Sequence, residues 1–252
     1  MTETLSDTVF GVESAFGVEP AAAAPSYAIP SIVSRAAKRS FDIVLSALLL
    51  ALASPLLVVL FVAIKLESPG PIFYRATRVG WRGSTLRVLK FRKMLEGAAG
   101  QPLTKHLDPR FTRIGHLLSK TKVDELPQLW NVLRGQMSLV GPRPESAEFV
   151  SLHPEYEEIL TVRPGITGLG QLAFSKEAEI LDPNDVVGHY VDAILPQKVR
   201  LDLLYSRTWT LRGDFRILVW TVLPVVLRVN VAVNRYSGAL TVRRRKASSA
   251  PG

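Results

Sequence analysis

The sequence predicts an α+β fold, mostly helical. It comprises a re-entrant membrane helix broken at Ser54-Pro55, then a small cytoplasmic globular domain with a short β-hairpin and interfacial amphipathic helices. Three observations predict it. Ile43–Ile64 is a stretch of 22 residues with no charged side chain, and a helix needs about 20 apolar residues to cross a bilayer. A turn and two strand-like segments come directly after it. The net charge of +9 is unevenly placed: residues 1–64 carry −2 and the remainder +11, so the basic character belongs to the region beyond the apolar stretch.

Four regions are expected: a tail over 1–37, the membrane helix over 38–66, the globular domain over 67–235 and a basic tail over 236–252. The first tail is rich in Ala, Ser, Pro and Glu without hydrophobic periodicity, and is expected to be disordered. Its first ten residues contain no basic side chain, unlike a secretory signal. Within the apolar stretch Pro55 lacks an N–H and its ring crowds the carbonyl of Ala51, so a break is expected at Ser54-Pro55. Lys38 and Arg39 precede the stretch, and Lys65, Arg75 and Arg78 lie after it. With basic residues at both flanks, a segment that enters and leaves by one leaflet satisfies the positive-inside rule at both ends. A bent transmembrane helix is the alternative.

Glu67–Tyr74 reads as a turn entering a strand, Arg78–Gly83 as a glycine-containing turn, and Thr85–Arg92 as the paired strand. Alternation puts Lys90 and Arg92 on one face, either solvated or clamping a phosphate. Gly97–Leu107 is expected to be a loop. A short helix capped by Asp108, with Pro109 at its first position, should run to about Leu118. A second should begin at Asp124-Glu125 and stop at Gly135. Met137–Pro144 reads as a strand or extended turn that presents Arg143 between two prolines on a stiff backbone. Thr161–Gly168 reads as a loop, Ala173–Pro196 as an exposed loop with a short helix, and Lys198–Trp209 as a helix with Leu201, Leu204 and Tyr205 on one side. Phe215–Val233 is ambiguous between helix and strand, and an interfacial helix is favoured because Arg216, Pro224 and Arg228 interrupt it. Arg243–Lys246 suits contact with anionic lipid, or a basic tail without a partner.

The sequence contains no cysteine, which excludes disulfides, Cys-ligated zinc and thiol nucleophiles. Its four His show no metal-ligand spacing. The pair Asp124-Glu125 lies among Arg110, Arg113, Lys120, Lys122, Arg134 and Arg143. From these residues alone a charged helix start is the plainer reading. A site that handles phosphate, with or without a divalent metal, is the other.

Five stretches resemble the bacterial sugar transferases, the monotopic polyprenyl-phosphate phosphoglycosyl transferases. They are Lys90–Met94, Asp108–Gly115, Asp124–Leu133, Met137–Pro144 and Arg163–Leu169. The resemblance runs in order from about Lys38 to Val233 and includes the Ser54-Pro55 break. It implies transfer of a sugar 1-phosphate from a UDP-sugar to undecaprenyl phosphate with release of UMP, at the cytoplasmic face of the bacterial inner membrane. It implies that Asp124 forms a covalent phosphosugar intermediate and that Glu125 orients the pair or relays a proton. Mg²⁺ is implied near Asp124, and Lys90, Arg92, Arg110, Arg113 and Arg143 become phosphate or nucleotide contacts. One departure stands out: many members carry an Arg five residues before the Asp, where this chain has Ser119, and Lys122 stands where a small polar residue is common. Expected partners are the UDP-sugar, undecaprenyl phosphate, membrane lipids and a second copy as a homodimer. The sugar and the polysaccharide are left open. A non-catalytic membrane-anchored scaffold is the alternative function. A nucleic-acid partner is not expected, because the charge lacks interleaved aromatic residues.

Overall fold

The computed structural model describes residues 31–98, 103, 108–227 and 229–243. Residues 1–30 of the tail expected over 1–37, parts of the 97–107 loop, Arg228 and the basic residues 244–246 lie outside the described residues. The described chain is mostly helical with three two-stranded sheets.

Helix α1 is Ile32–Glu67, 36 residues, and begins on Ser31, whose side chain accepts from the Ser34 N–H. It starts six residues before the boundary expected at Lys38. It also runs through Pro55. The reason is local: the Ser54 hydroxyl donates to the Ala51 carbonyl at 2.8 Å, the group that Pro55 cannot reach because it has no N–H. Between its ends α1 exposes Val44, Leu48, Leu52, Val58, Val59 and Val62, an apolar surface that a water-soluble helix would cover. It is long and apolar enough to serve as a membrane anchor.

Both ends of α1 are fastened to the same globular region. Near its start, Arg39 donates to the carbonyls of Val132 (2.7 Å) and Leu133 (3.0 Å), the last residues of helix α3, Gln128–Leu133. Terminal carbonyls lack partners within a helix, and a cation there meets the negative end of the dipole. Asp42, buried, accepts from the Ser138 hydroxyl (2.8 Å) and the Leu139 N–H (3.1 Å). Lys38 bonds Asp214 and the Val140 carbonyl. At the other end the Glu67 carboxylate accepts the Ile114 N–H at 3.1 and 3.2 Å, in the first turn of helix α2, Arg113–Thr121. That is an anion at the positive end of a dipole. Leu60 and Ile64 then pack with Phe91 and Leu118.

The predicted hairpin is present. Strands β1 (Phe73–Val79) and β2 (Thr85–Phe91) are antiparallel, with Phe73 opposite Phe91 and Val79 opposite Thr85. Asn131 of α3 fixes β2 from behind: its Oδ1 accepts from the Leu89 N–H (3.0 Å) and its Nδ2 donates to the Arg87 carbonyl (2.9 Å). Strand β3 (Ser138–Val140) pairs in parallel with β4 (Gly165–Thr167), so the segment expected to be a loop over 161–168 contains a strand. Gly141 and Gly165 permit this, since a Cβ on Gly165 would lie 2.1 Å from the Gly141 nitrogen.

Four further expectations are corrected. Thr112, not Asp108, caps α2, accepting from the Gly115 N–H at 2.9 Å; Asp108 is engaged by Arg110 instead. Asp124 and Glu125 lie in a 3₁₀ turn, Val123–Glu125, ahead of α3, because Pro127 delays the α-helical register. Residues 173–196 are not an exposed loop, for Phe174, Leu181, Val186, Tyr190 and Ile194 are buried in the main core. After the short helices α4 (Ala147–Val150), α5 (Tyr156–Ile159), α6 (Leu169–Ala173), α7 (Glu177–Ile180) and α8 (Val186–His189) comes α9, Leu195–Thr208. It buries Leu201 and Tyr205 as its spacing predicts, with Leu204 half-buried. Helix α10 is Leu211–Leu227, and the ambiguous segment resolves into that helix and then a strand, β5 (Asn230–Val233), paired with β6 (Leu240–Arg243).

The backbone of Lys93 runs against Gly115, where a Cβ would lie 1.9 Å from the Lys93 carbonyl oxygen. Gly115→Ala is therefore expected to cost about 1–3 kcal/mol as α2 is pushed off the segment that follows β2. The check is a lowered melting temperature in detergent micelles with α-helical content unchanged.

Candidate active site

The site forms where α2 ends and α3 begins. Lys122 closes α2 in the left-handed region (φ 61°), which turns the chain sharply just before Asp124 and Glu125. Asp124 is 1% exposed. Its Oδ2 lies 3.3 Å from Lys93 Nζ, while its Oδ1 is buried without a hydrogen-bond partner. Glu125 takes two cations on one oxygen: Lys90 Nζ at 2.8 Å and Arg143 Nη2 at 3.5 Å. Burial alone would raise the Glu125 carboxyl, but Lys90, Arg143 and Lys122 together hold it well below the usual carboxylate range. Burial lowers the Lys90 ammonium, against the pull of Glu125. Arg143 stays charged, since Glu125 and Glu145 outweigh its burial.

Of the sequence-predicted residues, Lys90, Arg143, Asp124 and Glu125 therefore come together. Arg92 does not join them. Strand β2 ends at Phe91, and the Arg92 guanidinium turns to the Ser68 carbonyl (2.8 Å), the Ser68 hydroxyl (2.9 Å) and the Pro69 carbonyl. It thus fastens the turn after α1 and shares no face with Lys90. Arg110 forms a bidentate pair with Asp108, at 2.9 and 2.6 Å, and Arg113 is exposed at the first position of α2.

Two residues at the pair are not singled out by the sequence. Lys93 supplies the cation at Asp124, where Ser119 supplies none. Its signal is the basic run Lys90–Lys93, in which it stands three residues beyond Lys90. Gln128 is 3% exposed, and its Nε2 has no partner. It stands one helical turn after Asp124, the spacing at which side chains share a face.

Behind Arg143 lies a buried polar network. Asp202 is buried near it, with Oδ1 lacking a hydrogen-bond partner. Glu145 accepts from the Tyr190 hydroxyl (2.9 Å), which in turn accepts from Lys198 (3.1 Å), and Lys198 also meets Glu177. These residues come from β3's exit, α7, α9 and the π-helical turn Tyr190–Ile194, and no local motif announces their meeting. Burial, with Glu145 close by, pushes the Asp202 carboxyl up to about 8.

Bacterial sugar transferases match this chain over residues 33–228. The chain belongs to that family. It is 39% identical over 204 residues to the UDP-glucose:undecaprenyl-phosphate glucose-1-phosphate transferase of Caulobacter vibrioides, covering 79% of this chain and 73% of that one. It is 38% identical over 209 residues to the Escherichia coli protein with the same description, covering 79% and 42%. It is 38% identical over 204 residues to the UDP-N-acetylgalactosamine-undecaprenyl-phosphate N-acetylgalactosaminephosphotransferase of Aeromonas hydrophila, covering 79% and 45%. The chain thus spans less than half the length of the latter two relatives. In this family member, the site is a buried carboxylate with one bare oxygen beside three cations.

The buried Asp202 makes a pH test available. A carboxyl raised in the folded state binds a proton that the unfolded chain has released, so stability is lost as pH rises from the ordinary carboxylate range through about 8. Asp202→Asn keeps the size and polarity of the side chain and removes the ionisation. The wild type is expected to lose stability between pH 5 and pH 8 with a slope approaching ~1.4 kcal/mol per pH unit, and the variant to show a flatter profile. Melting temperature against pH for the two proteins checks this.

Proposed function

We propose that this chain transfers a sugar 1-phosphate from a UDP-sugar to undecaprenyl phosphate, releasing UMP, at the cytoplasmic face of the bacterial inner membrane. The observation that carries the proposal is Asp124, a buried carboxylate with Oδ1 unpartnered, in a chain of this family. Its intact Asp124-Glu125 pair weighs against a scaffold without activity.

Asp124 Oδ1 attacks the sugar-proximal phosphorus. The Oδ1–P bond forms, the bridging P–O bond breaks, and UMP leaves with the electron pair. An oxygen of the polyprenyl phosphate then attacks the same phosphorus, and the Oδ1–P bond breaks to regenerate the carboxylate. Neither step requires the protein to give or take a proton. That suits Glu125, which is too acidic to be an effective base near neutral pH. Its role is to hold Lys90 and Arg143 beside the reacting phosphate, where their charge offsets that of the diphosphate. The unpartnered Gln128 Nε2 is placed to donate to a phosphoryl oxygen.

The residues present fit Mg²⁺. The Asp124 carboxylate is a hard oxygen donor that one ammonium leaves only partly partnered, and Mg²⁺ commonly takes one or two carboxylates together with substrate phosphates and water. Among the described residues no cluster of three or more His, Asp or Glu could cage a metal, so Asp124 would hold the ion with the diphosphate. When bound, the ion supplies neutralisation of phosphate charge.

Membrane placement rests on α1. Asp42 and Glu67 are 25 residues apart, about 37 Å along a straight helix, yet both bond to the globular region. A spanning helix would place its ends on opposite sides of about 30 Å of hydrocarbon, where one domain could not hold both. This supports a segment whose two ends lie on one side of the membrane. Helix α10 adds Phe215, Val219 and Val222 as exposed apolar side chains, a stripe suited to lying in the interface.

Two measurements test this. Purified protein with Mg²⁺, undecaprenyl phosphate and a panel of UDP-sugars is expected to release UMP with at least one sugar, and Asp124→Asn to release none above background; silence across the panel in the wild type contradicts the reaction. For topology, the natural absence of cysteine allows single labels at Val33→Cys and Leu66→Cys. Both should react with a membrane-impermeant maleimide from the cytoplasmic side, and labelling from opposite sides contradicts the re-entrant arrangement.

A further inference from the structure

We propose that Lys93 is a catalytic residue of the transfer, the ion that stabilises the Asp124 carboxylate as the group displaced in the second half-reaction. The proposal rests on the covalent route through Asp124 and extends it to a residue outside the assigned phosphate contacts.

The three cations at the pair are not equivalent. Lys90 and Arg143 both address Glu125 Oε1, so a permanent anion already holds each of them. Lys93 instead addresses the reacting carboxylate itself, through Oδ2 at 3.3 Å, and leaves Oδ1 bare. That division is what a nucleophilic carboxylate requires: one oxygen neutralised, the other open to phosphorus. An ammonium has three N–H donors, and among the described residues Asp124 Oδ2 is the carboxylate oxygen that Lys93 meets. The side chain is one-quarter exposed, at 26%, so the ammonium is not sealed off from the accessible side of the site.

The main chain at this position is fixed, which makes the ammonium's reach reproducible. The Lys93 carbonyl accepts from the Thr112 N–H at 3.1 Å, Met94 bridges Phe111, and Gly115 leaves no room for displacement. The side chain then passes the Phe111 ring, with Nζ 5.5 Å from its centroid. An anchored backbone with a partly free ammonium differs from a purely structural ion pair, in which the head group is closed off.

Charge balance through the cycle gives Lys93 its work. When Oδ1 bonds to phosphorus the carboxylate charge disappears, and the phosphodiester of the adduct carries one negative charge beside it. Lys93 is then within reach of a phosphoryl oxygen. When the polyprenyl phosphate attacks and the Oδ1–P bond breaks, the electron pair returns to the carboxylate, and the ammonium at Oδ2 meets that charge as it develops. Stabilisation of developing charge by one placed donor is worth on the order of 10²–10³ in rate.

The experiment compares wild type, Lys93→Ala and Lys93→Arg. Three readouts are the acceptor-dependent turnover, the phosphosugar adduct seen by intact-protein mass after mixing with UDP-sugar alone, and the melting temperature. Lys93→Ala is expected to lower kcat about 10²-fold with a small change in KM for the UDP-sugar, and its adduct, once formed, to persist after polyprenyl phosphate is added. Added ethylammonium should restore turnover at least tenfold, and Lys93→Arg should retain more activity than Lys93→Ala. Turnover of Lys93→Ala within threefold of wild type overturns the proposal. So does a loss that ethylammonium fails to restore, or one that tracks a lowered melting temperature. A wild type that turns over without any adduct is a different failure: it removes the covalent step, and the role of Lys93 falls with it.

Discussion

The structure depends on α1 serving as a brace between the two helices that flank the carboxylate pair. Arg39 satisfies the last carbonyls of α3, and Glu67 satisfies an N–H in the first turn of α2. Each places its charge at the end of a helix dipole that favours it. Between these two helices the chain has only residues 122–127 in which to reverse, and it does so through the left-handed conformation of Lys122 and the 3₁₀ turn Val123–Glu125. The geometry of Asp124 is thereby tied to the apolar segment that α1 carries. Anchor and site are one mechanical unit, which fits a reaction between a water-soluble donor and a lipid-borne acceptor.

Electrostatics then divide the two carboxylates. They are neighbours in sequence, yet one is saturated and the other is not. Glu125 collects Lys90 and Arg143, from β2 and from the stiff Pro142-Arg143-Pro144 segment, and is fixed as an anion. Asp124 keeps Oδ1 bare at the cost of burying a polar atom without a partner, commonly about 1–3 kcal/mol. Such a cost is sustained where the surroundings over-determine the conformation. Here the surroundings are helices α2 and α3, each tied to α1, and the Glu145–Tyr190–Lys198 network behind Arg143.

Much of this is legible in the sequence, for identifiable reasons. The hairpin, the stop at Gly135 and the face of α9 come from local periodicity and turn chemistry. The apolar stretch comes from composition. The meeting of Lys90, Arg143 and the pair comes from resemblance rather than from spacing. The illegible parts depend on long-range contact. Arg92 looks equivalent to Lys90 because strand alternation predicts a shared face, but the strand ends one residue earlier. The buried residues of 173–196 look polar because their apolar members, such as Phe174, Val186 and Tyr190, follow no single period across three short helices. Asp202 gives no sign at all, since Glu145 and Arg143, two of the groups that surround it, are more than 50 positions away in the chain.

The proposed chemistry turns on the oxygen left bare at Asp124 and on its taking the phosphosugar. The most direct measurement is peptide-level mass spectrometry of wild-type protein quenched in acid after mixing with its UDP-sugar and Mg²⁺ but no acceptor. The mass of one sugar phosphate is expected on the peptide spanning residues 123–134, with fragmentation assigning it to Asp124. Assignment to Glu125 would contradict this chemistry, and so would UMP release with no modified peptide.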